Sequence, residues 1–535
     1  MEIHNSLQEK LGLDQVGMVW AFADDSNMCG PTSVIKEMCA VAVGILQKYE
    51  LEVVVRKCKI VGDKVGNQAS NTFTVIEGGT VVMGNPVGSL GYRRHTCDQM
   101  IRDMIKPLPF FKKLHPHSAY TLLHHCINAK PGYLARVVEP DAMGGAMKIF
   151  DLAVDRVVGE LARSPVTPEL KDLRELPQSL GGLGLTRHSG VGGQKAVMNS
   201  RRLAKAFAEK HARMLLPGTQ KWGVVPLEDR MRNMFPVVPA ANNVVDANNG
   251  DTGIVDVLVV TQNLIKQAAI HNYREMHSTL LDKLGEQGRA SDRAWLRSGS
   301  TPSAARWLTW RGGLGRRVSF TEQQFVDAFR LRLLRPPIEG LQLGQHTCHC
   351  NNVSVADIPN HLLICPYNEG LTISRHNSIC AYLVVLIKQC WPDAQVSREV
   401  PLNLEDGNDN HIVADIMYVR GEVVKYIDVT VAHPGAQRYL TRGSAEEVDV
   451  ANIMRETAKT AIYNAVPGMA ASGCFIPFAV EATGRLGPKA IEWVTALTAG
   501  KDVIFRSYCL NSISSGIARY NSRMIAHARA KMMAN

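Results

Sequence analysis

An apolar run, Val16-Gly17-Met18-Val19-Trp20-Ala21-Phe22, ends at two adjacent acids, Asp24 and Asp25, with Ser26-Asn27 behind them. So short a run, bounded by turn-forming residues, predicts a buried strand that stops in a tight turn. Both carboxylates would then project from one strand-to-turn junction. Such a junction suits a hard divalent cation, because Mg²⁺ takes oxygen ligands and few protein carboxylates.

The chain around this feature alternates strand-like and helix-like segments over 13–92. Residues 31–49 predict a helix with Val34, Met38, Val41, Ala42 and Ile45 on one face. Residues 51–61 predict a strand carrying Lys57-Cys58-Lys59, and 81–89 a hairpin-like stretch with tight turns at its glycines and Pro86. From 95 to 235 the pattern is helical and basic. Arg201, Arg202, Lys205, Lys210 and Arg213 share one predicted helix, as a solvated face or as a phosphate-backbone contact. Residues 236–251, rich in Pro and Asn, predict a linker. A second helical block, 252–335, interleaves Trp307 and Trp310 with Arg311, Arg316, Arg317, Arg330, Arg332 and Arg335. Stacking on nucleic acid and buried Trp with exposed Arg both fit that interleaving. Pro336-Pro337 ends the block.

A chain of 535 residues has room for three or four domains. Its net charge of +10 favours a polyanionic partner. Of twelve cysteines only three gather in one place, which argues against a disulfide framework and for a reducing compartment. The N-terminus lacks a secretory pattern, and no run approaches the ~18 apolar residues of a membrane span. A nuclear or cytoplasmic protein without a membrane association is therefore expected.

The gathered residues are Cys348, Cys350 and Cys365 with His361, inside 18 residues. Thiolates with one imidazole are the ligand set of a closed structural Zn²⁺ site. The C-x-C pair is tighter than the usual spacing, and His349 is a competing ligand.

A second acidic group lies near the C-terminus. Residues 411–418 alternate like a strand, Arg420-Gly421 makes a turn, and 423–431 read as the partner strand with Asp428 in its middle. An Asp among β-branched residues is unfavourable on propensity, and a buried carboxylate needs a partner or a metal. An exposed edge position is the alternative. Asp415 and Asp428 on neighbouring strands, with a third acid expected on a preceding helix and Glu399 as its candidate, resemble the Mg²⁺ (or Mn²⁺) cage of PD-(D/E)XK nucleases, which would lower the pKa of a bound water. Thr430 stands two residues after Asp428, where a lysine is usual in such sites. Lys459, on the helix-like stretch 445–465, is the candidate amine, with Tyr463 one turn further on.

In order, these segments resemble the C-terminal two-thirds of a non-LTR retrotransposon polyprotein of the type with a restriction-like endonuclease. Ala21-Phe22-Ala23-Asp24-Asp25 is similar to the reverse-transcriptase palm turn. Lys57-Cys58 resembles the next palm motif, whose lysine assists pyrophosphate departure, and Met83-Gly84-Asn85-Pro86-Val87-Gly88-Ser89 the primer-grip hairpin. The glycine-rich stretch 176–185 is similar to one that follows the thumb. The Cys/His cluster with Arg375-His376-Asn377 resembles the zinc knuckle before the endonuclease. Asp415 and Asp428 look like acids of the PD-(D/E)XK type, and Phe475-Ile476-Pro477-Phe478-Ala479-Val480-Glu481 like a later strand of that domain.

The resemblance implies an α+β multidomain chain: partial palm (1–94), helical thumb and connection (95–235), linker (236–251), basic helical region (252–340), zinc knuckle (341–380) and endonuclease-like domain (381–535). It implies an RNA template and a DNA target, contacted by Arg201, Arg202, Lys205, Arg316, Arg317 and Arg375. Asp24, Asp25 and Lys57 would belong to the polymerase. Glu399, Asp415, Asp428 and Lys459 would belong to a Mg²⁺-dependent nicking site. The family's first palm aspartate should precede Asp24 by many tens of residues. The only earlier aspartate is Asp14, so polymerase activity from this chain alone is expected to be absent. A non-catalytic nucleic-acid-binding relic is the alternative.

Overall fold

The computed structural model describes residues 18–22, 25–29, 35–54, 57–61, 74–76, 78–143, 145–193, 253–309, 319–338, 348, 350, 359–368, 370–402, 412–469 and 473–534. They form a mixed α/β protein in two compact units. Among the described residues, no helix is long and apolar enough to cross a membrane.

The first unit takes residues 1–106, 130–151 and 187–272. Strand β1 (Met18–Phe22) pairs antiparallel with β2 (Asp25–Cys29), and the ladder closes on Phe22 opposite Asp25. Asp25 thus opens the return strand. Asp24 and the side chain of Asp25 lie outside the described residues. The helix Ile35–Lys48 buries Cys39, Ala42 and Ile45, a helical stripe.

The strand predicted over 51–61 shrinks to β3 (Lys59–Val61), which pairs parallel with β4 (Thr74–Ile76). Leu51, Glu52 and Val54 are exposed and gain no packed face, so only the last three residues join a ladder. Lys57 sits before the strand, exposed.

The predicted hairpin is present as β5 (Gly79–Val82) and β6 (Asn85–Gly88), antiparallel. Its two turn residues, Met83 and Gly84, both have positive φ, 50° and 76°, the mirror-image turn that matches strand twist. A methionine is strained there. The Tyr133 hydroxyl, on the helix Pro131–Val137, donates to the Met83 carbonyl and braces the turn. Ser89 then caps the helix Leu90–Ile105 by accepting from the Tyr92 N–H at 3.2 Å.

The second unit takes residues 107–129, 152–186 and 273–535. Its helical part bears out the buried tryptophan of one sequence reading of the Arg/Trp block, at Trp307, and corrects the exposed arginines. Trp307 is buried, but so are Arg330 and Arg332. Arg332 donates to the carbonyls of Gln178, Gly182 and Gly299, and Arg330 to those of Ala162, Arg163 and Pro336. These guanidiniums satisfy buried backbone acceptors and are not free for phosphate. Arg332 anchors the glycine-rich stretch 176–185, whose Gly181 turns at φ 84°.

The C-terminal part is a four-stranded sheet in the order β10-β9-β8-β7. Strands β7 (Gln395–Leu402), β8 (Ile412–Arg420) and β9 (Val423–Ala432) are antiparallel neighbours, and β10 (Phe475–Glu481) joins β9 in parallel. The crossover before β10 is the helix Val450–Asn464. One core packs Ile379, Leu383 and Ile387 of the helix Leu371–Cys390 against Ile416, Ile427, Val429 and Phe478. Each such side chain contributes roughly 1.5–3 kcal/mol on burial. A smaller cluster stacks Tyr463 on Phe475, with ring centroids 3.8 Å apart and Ala414 alongside.

Candidate functional site

Asp428 stands between Ile427 and Val429 in β9 and is buried. Its partners come from one face of the helix Val450–Asn464. Lys459 and Tyr463, four residues apart, both reach Oδ2, with Nζ at 2.8 Å and the hydroxyl at 2.9 Å. One turn earlier, Arg455 Nε donates to Thr430 Oγ1 at 3.1 Å. A helical stripe at 455, 459 and 463 therefore lies along the strand residues 428 and 430. Burial pushes the Asp428 carboxyl up, the Lys459 bond and charge pull it down, and the nearby Asp415 charge raises it again.

The β8–β9 ladder runs as far as Ile416 opposite Ile427, and one further step of that register places Asp415 against Asp428. There a side chain takes over from the backbone: Asp415 Oδ2 accepts the Val429 N–H at 2.6 Å. The same oxygen lies 3.0 Å from His376 Nε2, on the helix Leu371–Cys390. That hydrogen bond, followed by one with Cys380, raises the His376 imidazole to about 11 against the opposing effect of burial.

Asp415 and Asp428 line one cleft of about 470 Å³. Arg438, Arg455 and Lys459 line it too, as does Arg375, so cations outnumber the two carboxylates. Arg375 is buried and donates to Asn521 Oδ1 at 2.8 Å, and burial lowers it to about 10. It belongs to the floor of the cleft and not to an open nucleic-acid-binding surface.

Glu399 does not join the aspartates. It falls on β7 and not on a helix, in the gap between the pairs Arg398–Ile416 and Val400–Ala414. Its backbone has φ 54°, and its side chain is 71% exposed, 4.0 Å from Arg398. The kink turns the carboxylate into solvent. From the preceding helix the cleft receives an imidazole, His376, where an acid was sought. His433 also lines the cleft, fully buried, with neither ring nitrogen bonded to protein, and burial holds it down at about 3.

Beside the cleft lies the Cys/His cluster. The donor atoms of Cys348, Cys350, His361 and Cys365 all fall within 4.8 Å of one another. Cys348 Sγ is 3.4 Å from Cys365 Sγ, and Cys350 Sγ is 3.2 Å from His361 Nε2. Tetrahedral zinc spaces sulfur and nitrogen donors about 3.5–3.8 Å apart, so the four can hold a metal ion such as zinc. Burial pushes the Cys348 thiol up to about 12 and pulls the His361 imidazole down, toward the neutral form that ligates. Leu363 and Ile364, next to His361, line the acidic cleft. His349 lies outside the described residues, as do Arg201, Arg202, Lys205, Arg316 and Arg317.

Sequence reasoning missed His376, Arg455, Arg438 and His433. Arg455 had a signal, being one turn before Lys459 on a stripe facing a period-two strand. His376 had only its place beside Arg375. No protein-family model matches the chain, and no curated protein matches it.

Proposed function

We propose that the second unit's acidic cleft hydrolyses phosphodiesters in nucleic acid, as the nicking domain of a retroelement-derived, reverse-transcriptase-like protein. One observation carries this reading: Asp415, Asp428 and Lys459, from two strands and a helix, converge on a single cation-rich cleft. Mg²⁺ uses one or two carboxylates and keeps several waters, and two aspartates in about 470 Å³ leave room for a hydrated ion. Asp415 and Asp428 would hold it, and it would supply an activated water and charge neutralisation at phosphorus. Lys459, already hydrogen-bonded to Asp428, is placed to orient a nucleophilic water. Arg438 and Arg455 suit the phosphate backbone.

The supporting experiment is nicking of supercoiled plasmid in Mg²⁺, with the wild type compared to Asp428→Ala. Activity in the wild type alone supports the reading, and equal cutting by both removes it. A second reading, a relic that holds nucleic acid without cutting it, draws on a specific feature: both aspartates are already satisfied by protein donors. It predicts salt-sensitive binding by both proteins and cutting by neither.

A further inference from the structure

On the helix Leu371–Cys390, His376 and Cys380 are four residues apart and so share a face. That face meets the end of the β8–β9 ladder at Asp415. His376 Nε2 is 3.0 Å from Asp415 Oδ2, and Cys380 Sγ is 3.8 Å from the same nitrogen. The three donor atoms all lie within 4.8 Å of one another. We infer that His376, Cys380 and Asp415 form a second metal site, selective for a divalent transition cation of the zinc class and separate from the Cys348–Cys365 cluster.

Three features carry this. Zinc bonds of roughly 2.0–2.3 Å separate tetrahedral nitrogen, oxygen and sulfur donors by about 3.3–3.8 Å, close to the 3.0 Å His376–Asp415 and 3.8 Å His376–Cys380 separations here. The ring's other nitrogen, Nδ1, lies 3.1 Å from Asn377 Oδ1. A ligating histidine characteristically donates its second N–H to such an oxygen, which fixes both ring orientation and tautomer. Access is graded as well: Cys380 is fully buried, while the side chains of His376 and Asp415 remain 27% and 19% exposed, so an ion has an entry path through the cleft. Imidazole and thiolate are soft ligands that Mg²⁺ disfavours. A cation here takes the place of the proton between His376 and Asp415, and its binding releases protons. Such binding does not depend on whether the cleft cuts nucleic acid.

The test is elemental analysis of the full chain after zinc loading and desalting, followed by titration with Co²⁺ monitored by d–d and sulfur-to-metal absorption. Two equivalents of metal per chain are expected for the wild type. His376→Ala and Cys380→Ser should each retain one. The double variant Cys348→Ser with Cys365→Ser should also retain one, carrying the weaker absorption of a single thiolate. Asp415→Asn, which preserves shape, guards against misfolding and should weaken the second equivalent by at least tenfold, with unchanged circular dichroism. One equivalent in the wild type, or two that survive His376→Ala and Cys380→Ser, would overturn the assignment.

Discussion

Lys459 Nζ sits 2.8 Å from Asp428 Oδ2, and the aspartate side chain is only 6% exposed against 28% for the lysine. The pair joins a strand to a helix 31 residues on, inside the same cleft as the His376–Asp415 contact. Removing the lysine strands a buried carboxylate. Lys459→Met is expected to cost about 3 kcal/mol in urea unfolding. Adding Asp428→Asn should recover most of that loss, because the neutral amide no longer needs a cation. A double-mutant cycle measures the coupling.

Tyr463 contributes to the same oxygen at 2.9 Å and stacks on Phe475. Tyr463→Phe keeps the stacking and removes the hydroxyl. A loss of about 1–2 kcal/mol is expected, well below that of Tyr463→Ala, for which about 3–5 kcal/mol is expected. Thermal unfolding of the two variants distinguishes the hydrogen bond from the packing.

Glu481 ends β10 fully buried, with Oε2 unpartnered by protein, while the neighbouring Arg485 is engaged by Asp449. Burial raises its carboxyl from 4.5 to about 7. The folded state therefore binds a proton more tightly than the unfolded chain. Its stabilisation is complete below pH 4.5 and is lost as pH rises toward 7, by ~3 kcal/mol in all. Glu481→Gln should flatten that part of the stability–pH profile and leave the protein more stable than wild type at pH 7.5. An unchanged slope between pH 4.5 and 7 contradicts the assignment.

Removing metal from the Cys348–Cys350–His361–Cys365 cluster should unfold the segment around 359–365, because metal binding and local folding are coupled. Chelation is expected to lower the melting temperature, and zinc to restore it. Cys365→Ala should not respond to zinc at this cluster.

Much of this was legible along the chain and some was not. The strand ending at Phe22, the hairpin at 79–88 and the Asp428 strand all announced themselves through short apolar runs and turn residues. The Cys/His cluster did so by spacing alone. Lys459 was legible as an amine on a helix, but its 2.8 Å approach to Asp428 depends on how that helix crosses the sheet, which periodicity does not encode. Glu399 misled because the third acid was sought on a helix, whereas Glu399 lies on β7 and a positive φ turns it into solvent. The buried Arg330 and Arg332 misled because charge reads as surface, and only the tertiary fold reveals the carbonyls they satisfy.

The most direct test is the rate of Mg²⁺-dependent nicking of supercoiled DNA by wild type, Asp415→Asn, Asp428→Asn and Lys459→Ala, each checked for native circular dichroism. The cleft as described predicts nicking by the wild type and a loss of at least a hundredfold in each aspartate variant. It predicts a smaller loss for Lys459→Ala, partly recovered as pH rises. Undiminished nicking by the folded aspartate variants, or none by the wild type, would contradict it.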